Sequence, residues 1–316
     1  MAMFARRSAV VVLLATALTA AGCASVTTHH PLAPADLGEA SSTSRLEASV
    51  DAPGVVTFQR VRFAQWTGGR GGFIDRDDPR TADVPKGFEV AEIYAYVVDH
   101  PVHGRYLIDA GVSRALEARL NPVMRRGLAD LDVRIERSLA EWLTEQAPPR
   151  AVFLTHLHFD HIGGLIDLAP DVPAYVGAGE AEERNQMNGL LGHPVDAMLE
   201  GRPVLREWSF AADPDGRFDG LIDIFGDGSV WAIRVPGHSP GSTAYLVNAV
   251  DGPKLVVGDA VSTRLGWEQQ MPQPVPPAAR ADAERSADRL RAFAAAHPRV
   301  EVFLGHQTRT GQAEAD

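Results

Sequence analysis

The run Thr155-His156-Leu157-His158-Phe159-Asp160-His161-Ile162-Gly163-Gly164 places three imidazoles and a carboxylate within six residues. Imidazole nitrogen and carboxylate oxygen are the donors that borderline-soft divalent ions such as Zn²⁺ accept. Alternate residues at the end of a strand point the same way, so His156 and His158 can share one ion. Asp160 and His161 fall where the chain turns and can face a second ion beside it. Three further donors sit in short glycine-preceded segments: His238 in Pro236-Gly237-His238-Ser239-Pro240-Gly241, Asp259 in Val257-Gly258-Asp259-Ala260, and His306 in Gly305-His306-Gln307. These segments and the first run hold five of the chain's 11 histidines, a clustering that core or surface histidines do not produce.

All four motifs follow short apolar stretches, which puts them at strand C-termini, where loops converge on a rigid scaffold. Residues 55–63 alternate as a strand, and 89–99 with 105–109 read as a hairpin closed by His100-Pro101-Val102-His103-Gly104. Residues 151–155 form a short apolar strand. Gly226-Asp227-Gly228 closes a second hairpin between 221–225 and 229–235. Residues 243–247, 255–257 and 300–304 complete the strands. Helical spacing predicts helices over 131–146, 179–200 with a break near His193-Pro194, and 278–296. Two groups of strands, each followed by helices, imply two sheets packed face to face with helices outside.

In this order, His-x-His-x-Asp-His, then a glycine-preceded His, then Gly-Asp, then Gly-His, the chain resembles the metallo-β-lactamase superfamily. The resemblance runs from about Val55 to Gln307. It implies an α/β fold, the αββα sandwich, as a single domain. It further implies two Zn²⁺ per chain, with Mn or Fe as possible occupants. His156, His158 and His238 would hold the first ion, Asp160, His161 and His306 the second, and Asp259 would bridge them. A metal-bridging hydroxide would then be the nucleophile, available near neutral pH, and Asp160 would be the catalytic residue that shuttles its proton.

The substrate class narrows by what the chain lacks. Only ten residues follow His306, too few for the glutathione-binding extension of glyoxalase II relatives. Asp259 stands where some zinc β-lactamases carry a cysteine ligand. The stretch from Phe225 to His238 looks like the acyl-homoserine-lactone lactonase branch, although Ser262 occupies the place of that branch's tyrosine. The leading expectation is hydrolysis of a small ester or lactone. A zinc β-lactamase, which shares the Pro236–Ser242 pattern, is the alternative enzyme. A metal-binding lipoprotein without turnover is the alternative of another class. Expected pocket walls are 63–73, with Trp66 and a glycine-rich flap at Gly68–Gly72, and the 179–208 insertion, with Met187, Leu190, Leu191 and Met198.

Composition sets the outer limits. The 316 residues carry 30 Lys+Arg against 41 Asp+Glu, a balance of −11 that opposes a nucleic-acid surface, so no nucleic-acid partner is expected. Hydrophobic residues are 45% and charged residues 22%, ordinary globular usage. The chain starts with Arg6-Arg7 and an apolar run over 9–21, which as a helix rises about 20 Å, short of the roughly 30 Å bilayer core. That pattern describes a secretory signal. Ala20-Ala21-Gly22-Cys23 resembles the lipobox of bacterial lipoproteins, with Ala20 where leucine is usual. Residues 1–22 are therefore read as a lipoprotein signal peptide and Cys23 as the lipidation site. Residues 23–53, rich in Ala, Ser, Thr and Pro, are read as a flexible tether with His29 and His30 solvated. The hydrolase domain spans 54–316. The expected location is the bacterial cell envelope, on the periplasmic side, with a small-molecule substrate and the membrane as partners.

Overall fold

The computed structural model describes residues 25–309, apart from 131, 186–187 and 189–192. Cys23, the signal segment 1–22, and Met187, Leu190 and Leu191 lie outside the described residues. The first half of the chain begins with β1 (Ser25–Val26), β2 (Leu32–Pro34), β3 (Glu39–Ala40) and helix α1 (Thr43–Asp51). The long hairpin strands β4 (Thr57–Gly69) and β5 (Phe88–His100) follow, then β6 (Gly104–Ile108). Next come α2 (Leu116–Arg119), α3 (Pro122–Asp130), β7 (Arg134–Ile135), α4 (Leu139–Leu143) and β8 (Val152–Phe153). The half closes with α5 (Phe159–Ile162), β9 (Ala174–Val176), β10 (Arg184–Asn185), α6 (Pro194–Met198) and β11 (Leu205–Glu207). The second half holds β12 (Leu221–Asp223), β13 (Val230–Arg234), β14 (Thr243–Ala249), β15 (Gly252–Gly258), α7 (Arg264–Glu268), α8 (Arg280–Ala296) and β16 (Glu301–Leu304).

These strands build an eight-stranded sheet, in the order β2-β11-β9-β8-β6-β5-β4-β7, and a six-stranded sheet, β16-β15-β14-β13-β12-β3. Both faces of each sheet are covered, which is why β14 is buried along its whole length and reads as a continuous apolar run. Between the sheets lies an aromatic core that includes Tyr94, Tyr96, Phe153, Trp208, Tyr245 and Phe303. Its polar tips are satisfied: Trp208 Nε1 donates to the Tyr245 hydroxyl at 3.1 Å, which donates to the Leu154 carbonyl at 2.9 Å. Leu139, Trp142 and Ile162 pack on the outer face of the large sheet, and Leu46, Leu290 and Phe293 on that of the small one. The result is the four-layer αββα sandwich that the element order implies. Among the described residues no helix is long and apolar enough to cross a membrane.

Three local expectations are corrected. Residues 25–53 are not a tether but part of the sandwich. β2 pairs with β11, β3 with β12, and α1 buries Leu46 and Val50, spaced four residues apart, in the outer core. Thr43 donates from its backbone N–H and its hydroxyl to Asp213 at 3.1 and 2.7 Å. The averaged composition of this segment hid two well-spaced apolar residues and a set of capping hydroxyls. Residues 131–146 do not form one helix either. The exposed edge of β4 takes Arg134 and Ile135 as β7, and a Ser138–Glu141 capping box starts α4 only at Leu139. In the 179–200 segment, β10 pairs with β1 and Pro194 opens the short α6. Met198, from the 179–208 insertion, belongs to the outer core rather than to a pocket wall, and Trp208 at the end of that insertion lies in the inter-sheet core.

Because Leu46 is fully buried, Leu46→Ala is expected to cost about 2–5 kcal/mol of stability in denaturant unfolding. A change within about 0.5 kcal/mol, as for an exposed site, would return residues 25–53 to a tether.

Candidate metal centre

The fold brings all seven singled-out donors to one edge of the sandwich. His156 and His158 follow β8, Asp160 and His161 lie on α5, His238 follows β13, Asp259 ends β15 and His306 follows β16. Three overlapping groups result: His156, His158 and His238; Asp160, His161 and His306; and His156, His161 and Asp259. In each group the donor atoms lie within 4.8 Å of one another. Asp259 stands at the centre, its Oδ1 3.5 Å from His161 Nε2 and its Oδ2 3.1 Å from His306 Nε2 and 3.6 Å from His238 Nε2. Asp160 Oδ2 is 3.4 Å from His306 Nε2. Most of the cluster is buried, whereas His158 is exposed.

Three of the five imidazoles are aimed by a hydrogen bond at the far nitrogen, while His158 Nδ1 and His238 Nε2 face each other at 3.0 Å. His161 Nδ1–H donates to Asp109 Oδ2 at 2.8 Å, and His306 Nδ1–H to the Glu92 carbonyl at 3.0 Å. The Thr155 hydroxyl lies 3.1 Å from His156 Nδ1. A proton held at Nδ1 leaves a lone pair on Nε2. The Nε2 atoms of His156 and His161 and Oδ1 of Asp259 are accordingly buried without a hydrogen-bond partner. Lone pairs facing one another cannot satisfy each other, and each unmet buried polar group costs about 1–3 kcal/mol. A cation among them is the group this donor set fits.

The charge states divide. Burial opposes charge on His161 and His306, yet Asp109 raises His161 well above the usual histidine pKa and Asp259 raises His306. A cation bound there would displace their protons. Burial, reinforced by the imidazoles of His161, His158 and His238, holds His156 well below the usual histidine pKa, in the neutral form that ligates metals. Burial works against ionised Asp259, but His306, His161 and His238 outweigh it and keep its carboxyl well below the ordinary range.

Two carboxylates outside the motifs organise the centre. Asp109, just past β6 and with a positive φ of 58°, accepts from the Thr155 N–H at 2.8 Å, the Thr155 hydroxyl at 2.9 Å and His161. Glu180 is fully buried and spans two ligand loops. It accepts from the Leu157 N–H at 2.9 Å, between His156 and His158, and from the Ser239 hydroxyl at 2.6 Å and the Gly241 N–H at 3.0 Å, beside His238. Burial pushes the Glu180 carboxyl up to about 7, with the Ser239 and Leu157 hydrogen bonds opposing it. Neither residue stands out in the sequence; a carboxylate just past a strand, before Ala110-Gly111, was the available sign for Asp109.

Two glycines are required by close approach. A Cβ at Gly305 would lie 2.0 Å from Asp259 Oδ1, and one at Gly164 would lie 1.9 Å from the Ala110 carbonyl. Gly164 therefore serves the packing of α5 rather than a free turn.

The cleft beside the cluster holds about 330 Å³. Trp66, Phe73, Phe159 and Pro274 give it apolar walls, and Asp160, His238, Asp259, Ser262 and His306 line its floor. The Trp66 ring meets His306 edge-on at 4.9 Å. Gly68, Gly69 and Gly72 do reach the cleft, but Gly68 and Gly69 are paired with Glu89 and Phe88 in the hairpin rather than forming a separate loop.

A sequence model of the metallo-beta-lactamase superfamily matches residues 90–306, and the chain belongs to that superfamily. Among curated relatives, it is 29% identical over 220 residues to the N-acyl homoserine lactonase AttM of Agrobacterium fabrum, spanning 67% of this chain and 80% of that one. It is 36% identical over 118 residues to the probable metallo-hydrolase YqgX of Bacillus subtilis, spanning 36% of this chain and half of that one. A crystal structure of a quorum-quenching N-acyl homoserine lactone lactonase superposes with a TM-score of 0.59 over 81% of this chain and 94% of the other, at 17% identity. The protein is a metal-dependent hydrolase of that superfamily, with N-acyl homoserine lactonases among its relatives.

Asp109→Asn keeps an acceptor for the Thr155 N–H but removes the charge that fixes His161. It is expected to weaken metal retention about 10–100-fold, read by competition with a chromogenic chelator. Retention equal to wild type would remove Asp109 from the account.

Proposed function

We propose that the chain is a dinuclear zinc hydrolase that opens a small lactone or ester, exported and anchored through a lipidated Cys23. The carrying observation is the set of seven converging donors with buried, partnerless lone pairs beside an apolar-walled cleft. His156, His158 and His238 would hold one ion, Asp160, His161 and His306 the other, with Asp259 between them. Bound there, two zinc ions would polarise a carbonyl and make water acidic enough to ionise near neutral pH.

The chain's own residues supply the rest. Trp66, Phe73 and Phe159 offer an apolar surface for an acyl portion and exclude bulk water from it. Asp160, at the cleft floor, is placed to take the proton released by water and return it to the leaving alkoxide oxygen. Ser262 lines the floor where related lactonases carry a tyrosine, so a shorter hydroxyl must serve the carbonyl and more room is left above it. This favours a lactone or ester that differs from an acyl-homoserine lactone in its ring portion. The 29% identity to a lactonase supports the ester and lactone class. The sequence Ala20-Ala21-Gly22-Cys23 supports the anchor.

A turnover screen of lactones, aryl esters, penicillins, carbapenems and a nitrophenyl phosphodiester is expected to find lactone or ester hydrolysis. That activity should fall at least about 100-fold on chelation and return with zinc. Asp160→Ala and His238→Ala should abolish it. Faster turnover of β-lactams, or metal-replete protein inert on every substrate, would refute the assignment. For the anchor, palmitate should label the wild type and not Cys23→Ser; equal labelling of both would refute it.

A further inference from the structure

Away from the cleft, three other donors converge from two chain segments. His29 precedes β2, and His193 and Asp196 stand at the start of α6. Donor atoms of the three lie within 4.8 Å of one another. The rings of His29 and His193 meet edge-on with centroids 4.5 Å apart. We propose that His29, His193 and Asp196 form a peripheral site for a zinc-class divalent cation, separate from the hydrolytic centre.

Four observations carry this. First, among the described residues His193 Nδ1 is buried with no hydrogen-bond partner. Second, His193 adopts a left-handed backbone, φ 52°, uncommon for a residue other than glycine, and its ring lies beside that of His29. Third, Asp196 is already oriented: its Oδ1 accepts from the Thr28 hydroxyl and from the His29 N–H at 3.0 Å, leaving Oδ2 toward the imidazoles. Fourth, His29 Nδ1 lies 3.4 Å from that Oδ2, long for a charge-assisted hydrogen bond. Donors around a tetrahedral zinc at about 2.0–2.1 Å sit about 3.3–3.5 Å apart, so the spacing suits two ligands of one ion. His29 is mostly solvent-exposed, which leaves a fourth position open to water.

A second histidine cluster shows what a spent site looks like. His100 Nδ1 accepts from the Val102 and His103 N–H groups, and His100 Nε2 lies 2.8 Å from Asp227. Both nitrogens of His100 are used, so that imidazole has no lone pair to offer. At the peripheral site the His193 nitrogen remains available. An ion there would tie the segment at 28–30 to α6. Since α6 packs against α5, which carries Asp160 and His161, the tie would brace the wall behind the hydrolytic centre.

The test is zinc content per chain at buffered low free zinc, by emission spectrometry, on the full chain. Asn tolerates the left-handed backbone at 193, and position 29 is exposed, so His193→Asn and His29→Gln should both fold. Each is expected to hold one zinc equivalent fewer than wild type. The same one-equivalent difference should persist in an Asp259→Ala background, where the central centre is disrupted. Equal zinc in wild type and both variants would overturn the proposal. So would a difference that disappears in the Asp259→Ala background, since the missing ion would then have come from the cleft.

Discussion

Five imidazoles and two carboxylates face one another at the edge of the sandwich, and three of their atoms are buried with nothing in the protein to bond to. That arrangement is costly for an empty protein and favourable around positive charge, and the rest of the molecule is organised to maintain it. The sheets provide four strand ends, β8, β13, β15 and β16, close enough for their loops to meet. Gly305 and Gly164 give up side chains so that backbone can approach Asp259 and α5 can seat against Ala110.

Asp109 and Glu180 convert that proximity into a fixed geometry. Asp109 couples β6 to Thr155 and His161, so the orientation of one ligand is set by a neighbouring strand. Glu180 couples the loop of His156 and His158 to the loop of His238, which come from different halves of the chain. Ligands mounted on loops are thereby held as firmly as if they stood on strands, which is what a metal centre with little tolerance in ligand position requires. The aromatic side chains above the cluster then define what reaches it.

The ligands were legible in the sequence because four of the seven lie within six residues and the others sit beside glycines, where few other roles compete. The two-sheet order was legible for a related reason: strands covered on both faces read as unbroken apolar runs. Asp109 and Glu180 were not legible, since each is a single carboxylate whose partners lie tens of residues away. The 25–53 segment was misread because its composition is polar on average while Leu46 and Val50 carry the packing. The 131–146 helix failed for a different reason. The free edge of β4 captured Arg134 and Ile135, a tertiary demand that overrides helical spacing.

Anomalous diffraction at the zinc edge, from crystals of zinc-replete protein, tests the central claim most directly. The account predicts two peaks in the cleft, one within bonding reach of His156, His158 and His238, the other of Asp160, His161 and His306, with Asp259 touching both. A single peak, or none among these seven side chains, would contradict it.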